Sequence, residues 1–165
     1  MKSRRYWFVL HPDVSRPIGG IKQIHRLAEA IVDSGREAYL IQDSEDFHPG
    51  WFESNVNAIS LKEWRERTDL TPNHDVLILP ETFITVISQY NLCSLPVVIF
   101  NQNGSYTFGS KPSSLKVSPQ AIIDIYRSDI VSYVLCVSAY DHLLLTSGLG
   151  LPESKVGLIV NGLEK

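Results

Sequence analysis

Cysteine is scarce in this chain: Cys93 and Cys136 are the only two in 165 residues. No CxxC pair and no Cys/His ligand spacing occurs, which argues against a disulfide framework or a zinc site. Both lie in apolar stretches, "NLCSLPVVIF" and "SYVLCVSAY", and are expected as buried free thiols in a reducing compartment. No apolar run approaches a membrane span, and residues 1–30 lack a signal-peptide core and cleavage site, so a soluble cytoplasmic protein is expected. A basic excess is also missing. The net charge of −3 leaves no large nucleic-acid footprint, and "KSRR" at residues 2–5 reads as a solvated terminus.

Several chemical signatures are absent as well. GxGxxG and the Walker A loop do not occur, which disfavours dinucleotide and P-loop chemistry. GxSxG is missing, so His11, Asp13 and Ser15 do not make a credible hydrolase triad. "DSED" at residues 43–46 lacks Asp-x-Asp spacing and reads as a solvated turn. No metal site is expected. There are no repeats, low-complexity tracts or internal linkers.

What is present is a regular alternation of apolar strand-like runs with helical patterns. Hydrophobic residues make up 44 % and charged residues 20 %, the balance of a globular chain. "YWFVLH" (6–11) reads as a buried strand. Ile21, Ile24, Leu27, Ala28, Ile31 and Val32 then line one face of a helix that Gly35 stops. Further strands are expected at 37–42, in "NAIS", at 75–80, 95–103 and 131–138, and in "KVGLIVNG". Helices are expected in "SLKEWRERT" with Ser60 as cap and Glu63 three positions on, and in "ETFITVISQY". Two more follow Ser118-Pro119 and Ser138, the latter paired with Asp141 in a capping box. Strands this continuously apolar belong to a parallel sheet covered on both faces. The expected fold is one Rossmann-like, doubly wound α/β domain over residues 1–165.

In such a sheet, ligands bind at the carboxyl ends of the strands. Gly19-Gly20, where the first strand hands over to a helix, can let an anion approach unpaired helix amides; a tight turn is the plainer reading. His11 and Asp13 are pocket-lining candidates in the same loop. Glu81 either faces the crevice or simply favours a helix start. Gln102 and Asn103 can hydrogen-bond sugar hydroxyls, although Asn103-Gly104 is equally a turn signal. Ser138 is a helix cap first and a ligand contact second, and Asn161-Gly162 reads as a domain end. His25 and His142 read as structural helix residues, and His48 and His74 as loop residues without a partner. No complete catalytic set can be assembled.

Together, "PIGGIKQIHRLAEAIVDSGREAYLI", "VLCVSAYDHLLLTSGLGLPESKVGLIVNGLE" and the strand order between them resemble the amino-terminal half of GT-B glycosyltransferases. The likeness is to the family-four group of retaining enzymes. It extends over nearly the whole chain, least at 43–73 and 104–118. It implies an acceptor-side domain whose Gly19 and Gly20 approach the diphosphate of a nucleotide sugar, the co-substrate of a metal-independent enzyme. His11, Asp13, Glu81, Gln102, Asn103 and Ser138 are then candidates for holding a sugar or lipid acceptor. A carboxy-terminal domain, in cis or in trans, would bind the nucleotide and supply the paired glutamates of an E-x7-E motif. This chain ends about where that domain begins, so alone it is expected to be inactive. Where many members carry a histidine after the strand matching 95–101, this chain has "NQN", and an amide cannot relay a proton. The alternative expectation is a stand-alone Rossmann-like binding module without transferase activity.

Overall fold

Arg5 to Phe8 lie between partners on both sides: β1 (Arg5–Val9) pairs in parallel with β2 (Glu37–Gln42) and with β4 (Asp75–Pro80). This computed structural model describes residues 3–10, 12–104, 106 and 117–160. His11 and Asn161-Gly162 therefore lie outside the described residues. Seven parallel strands form one sheet in the order β3-β2-β1-β4-β5-β6-β7, with β3 at Asn57–Ser60, β5 at Val97–Asn101, β6 at Val131–Cys136 and β7 at Val156–Leu158. The order reverses between β1 and β4, as in a Rossmann-like fold. The Rossmann-like expectation holds.

By its contacts the chain divides into two compact units. The first comprises Met1–Ile78 with Tyr90–Leu95, and the second Leu79–Gln89 with Pro96–Lys165. In the first unit, the core gathers on Trp7, whose ring stacks on Tyr39 at 4.5 Å and meets Trp64 at 5.2 Å. Helix α1 (Gly19–Asp33) buries Ile24, His25 and Ala28. It ends as its glycine dictates. Gly35 takes φ +79°, its N–H bonds to Val32 O, and the Arg36 N–H reaches Ile31 O, a Schellman closure. Helix α2 (Leu61–Glu66) starts on the Ser60 hydroxyl, which accepts from Glu63 N at 3.1 Å.

In the second unit, α4 (Pro119–Arg127) is capped by Ser118, which accepts from Ala121 N at 3.2 Å, with proline in the first turn. Arg127 ties that helix to Leu149 O through Nε and Nη2. Helix α5 (Ala139–Leu143) is capped by Ser138.

Boundaries differ from expectation where local patterns carry two meanings. β1 ends at Val9, β5 spans Val97–Asn101 and β7 stops at Leu158, because strand pairing ends before the apolar or polar run does. "ETFITVISQY" divides into a 3₁₀ stretch (Glu81–Val86) and one helical turn, α3 (Ile87–Tyr90). After α5 the chain widens at Leu144–Gly148, with Leu149 N bonding to Leu144 O five residues back. Cys136 is buried as expected, but Cys93 is half-buried because it lies in the turn between α3 and β5; both are free thiols. No described helix is long and apolar enough to cross a membrane.

Candidate functional site

The loops leaving β1 and β2 in the first unit are joined by two aspartates. The Asp13 carboxylate accepts from Asp43 N (2.9 Å) and Ser44 N (3.0 Å), and the Asp43 carboxylate accepts from Asp13 N (3.1 Å). Asp13, a sugar-binding candidate from sequence, is thus engaged in fixing a loop. Gly19 and Gly20 are the first two residues of α1 rather than a loop before it. Ile18 occupies the N-cap and has no side-chain oxygen to offer the first amides. A Cβ built on Gly19 would meet nothing within 4 Å, and its backbone does not require glycine. Neither packing nor torsion explains that residue.

The second unit brings Glu81, Gln102, Asn103 and Ser138 into one hydrogen-bonded region. Glu81 is 2 % exposed, and its carboxylate accepts from Gln102 N (3.2 Å) and Asn103 N (3.1 Å). The next amide, Gly104 N, donates to Asp141 Oδ1 at 2.9 Å. Asp141 Oδ2 in turn accepts from the Ser138 hydroxyl at 2.7 Å, while Ser138 Oγ accepts from Asp141 N at 3.0 Å. Three successive amides after β5 are therefore held by two buried carboxylates. The approach is close: a Cβ on Gly104 would lie 2.8 Å from Asp141 Oδ1 and 2.8 Å from Leu144 Cδ2.

The electrostatics follow from this arrangement. Burial pushes the Glu81 carboxyl up to about 7; the Asp141 charge adds to the effect, and the Gln102 and Asn103 amides oppose it. Beneath the loop, Tyr126 Oη donates to Asn101 Oδ1 at 2.8 Å inside the core. The arrangement is suited to holding main chain rigid and presenting the Gln102 and Asn103 side chains, which are half-buried and exposed.

Sequence reasoning named Glu81, Gln102, Asn103 and Ser138 but missed the ligand role of Asp141 toward Gly104. It treated Asp141 only as a capping partner. The signal that could have found it is Gly104 itself, a glycine that must admit a side chain from elsewhere. No group of three or more His, Cys, Asp or Glu suited to a metal ion occurs among the described residues. No protein-family model matches the chain, and no curated protein matches it significantly.

Proposed function

We propose that this chain is the acceptor-side, Rossmann-like domain of a nucleotide-sugar-dependent glycosyltransferase, inactive until a second domain completes it. The observation that carries the reading is Gly19, at the uncapped start of a fifteen-residue helix and required by neither space nor backbone. A helix start of that kind suits a diphosphate, because its dipole favours negative charge and Gly19 leaves room for close approach. Gln102 and Asn103, on a loop fixed by Glu81, suit hydroxyl groups of an acceptor. Tyr140, Leu143 and Val160 are exposed on the second unit and offer apolar surface of the kind a covering domain buries.

A specific observation favours the second reading, a binding module without transferase chemistry. The carboxylates of Asp13, Glu81 and Asp141 all hold main-chain amides. Groups so engaged hold loops in place rather than a substrate.

Amide NMR during titration with uridine and guanosine diphosphate sugars separates the two. A half-site gives millimolar or weaker binding, with shifts concentrated at Gly19, Gly20 and Ile21. Silence at those amides supports the binding module. Tight binding by these 165 residues alone contradicts the half-site reading.

A further inference from the structure

The first unit holds a cavity of about 420 Å³ between α1, β2, β3 and the intervening loop, within the usual range for small-molecule sites. Its floor is made by His25, Leu40 and Gln42. Leu40 and Gln42 are two apart on β2 and so share a face of the sheet, and Ala58 lies opposite Leu40. His25 is 2 % exposed and Gln42 1 %. Neither ring nitrogen of His25 has a hydrogen-bond partner among the described residues, and neither does Gln42 Oε1. Buried polar atoms are ordinarily satisfied, so three on two residues that line one cavity call for an occupant. The ring is held edge-on to Phe52 at 4.8 Å, and Arg26 reaches across to Glu53 O at 3.4 Å, so the loop wall is tied to the helix.

The donor and acceptor count defines the occupant. Burial pushes His25 down to about 4, with Arg26 and His48 adding to it against Glu29, so the ring is neutral at physiological pH. One nitrogen then donates and the other accepts. With Gln42 Oε1, the floor residues carry two acceptors and one donor that no other described group satisfies. An apolar ligand answers none of these. A phosphate or carboxylate offers acceptors only, and it would meet the Glu45 and Asp46 carboxylates at the rim, where no lysine or arginine lines the cavity. Neighbouring hydroxyls both donate and accept, and Phe47 and Val56 supply apolar wall for the CH faces of a ring.

We propose that this cavity binds a sugar ring carrying no negative charge, recognised by His25 and Gln42 at its floor and by the acidic rim. The site does not depend on the glycosyltransferase reading. Its contacts are His25 and Gln42, whereas that reading rests on the helix start at Gly19.

The test is titration of the intact chain with glucose, galactose, mannose and their phosphomonoesters, following His25 ring resonances by NMR and affinity by calorimetry. At least one neutral sugar should shift the His25 resonances at millimolar concentration. Its phosphomonoester should bind at least about tenfold more weakly. His25→Phe and Gln42→Leu should each weaken binding at least about tenfold while leaving the melting temperature unchanged or higher, since each removes a buried, unpaired polar group. The proposal is overturned if none of the three sugars moves His25, if a phosphomonoester binds better than its parent, or if binding survives both substitutions. A response at Gly19 with silence at His25 would remove this site and leave the other reading standing.

Discussion

β4 begins with one buried carboxylate and is followed immediately by another, and the two are treated in opposite ways. Asp75 is fully buried and saturated: Arg5 Nε at 2.7 Å, Arg5 Nη2 at 3.0 Å, Trp7 Nε1 at 2.8 Å and Thr71 N at 2.8 Å all donate to it. Burial alone would raise its pKa, but those donors, led by Arg5, outweigh it and leave the carboxyl below its ordinary value. Arg5 also reaches Asp69 at 2.6 Å, and Arg67 sits over the Trp7 ring at 4.7 Å, so the charge cluster continues outward. Glu81 is as deeply buried yet is held by neutral amides, and its carboxyl is pushed up to about 7. A cation turns a buried carboxylate into a fastener; amides alone leave it titratable.

Removing the fastener should produce the largest effect. Asp75→Asn leaves Arg5 without its main buried counter-charge and should cost about 3–5 kcal/mol, read as a lower denaturant midpoint with unchanged slope. Because the folded carboxyl lies below its ordinary 3.8, the stabilisation it brings persists through neutral and mildly acidic pH. It is lost only as pH falls through the folded value. A loss under 1 kcal/mol would mean that Asp69 carries the pair.

Glu81→Gln should show itself in the pH dependence of stability. The folded carboxyl titrates near 7 and the unfolded one near 4.5, so the folded state carries a buried-charge penalty above pH 7. That penalty fades as pH falls and is gone below 4.5. Between pH 4.5 and 8 the parent should lose about 1–3 kcal/mol relative to the glutamine variant, which carries a constant cost of its own because its amide can accept from only one of Gln102 N and Asn103 N. His25 runs the other way: folded near 4 and unfolded near 6.5, it drains stability as pH falls through that window. The parent should therefore show a nearly flat profile between roughly pH 4.5 and 6.5, where the two slopes oppose. Glu81→Gln should expose the falling arm and His25→Phe the rising one. A parent profile that falls steeply across that window would show that Glu81 is not the group described.

Gly104→Ala sharpens the contrast at smaller scale. Its Cβ would press on Asp141 Oδ1 and Leu144 Cδ2, both at 2.8 Å. Asp141 is held by Ser138 and cannot swing away freely. A loss of about 1–2 kcal/mol is expected, with broadened amide signals at Gln102 and Asn103.

How much of this was legible depends on the distance over which each feature is encoded. The caps at Ser60, Ser118 and Ser138 and the stop at Gly35 were readable because cap and helix are adjacent in the chain. The apolar runs of β1, β2 and β4 gave the parallel sheet for the same reason. The carboxylate clamps were not readable. Glu81 meets Asn103 twenty-two residues away, and Asp141 meets Gly104 thirty-seven away, and no periodicity records such a pairing. His25 looked like an ordinary helix-flank residue because its cavity is completed by residues 45–58, the stretch with the weakest pattern. The 3₁₀ stretch at Glu81 was masked by residues that also suit an α-helix.

Gly19→Ala should have the smallest effect on stability and is the most informative about function. At the first position of α1 an added methyl meets nothing, and alanine is the better helix former, by about 1 kcal/mol in a helix interior and less at an end. The variant should melt within about 0.5 kcal/mol of the parent, or slightly above it. If a diphosphate approaches the helix start, the same methyl stands in its path, and shifts induced by nucleotide sugars at Gly20 and Ile21 should shrink. Gly104 and Gly19 then divide by cause: one is glycine because a neighbouring side chain occupies the space, the other because a ligand does. A Gly19→Ala variant that keeps its full nucleotide-sugar response would leave Gly19 without a reason and remove the main support for a diphosphate site.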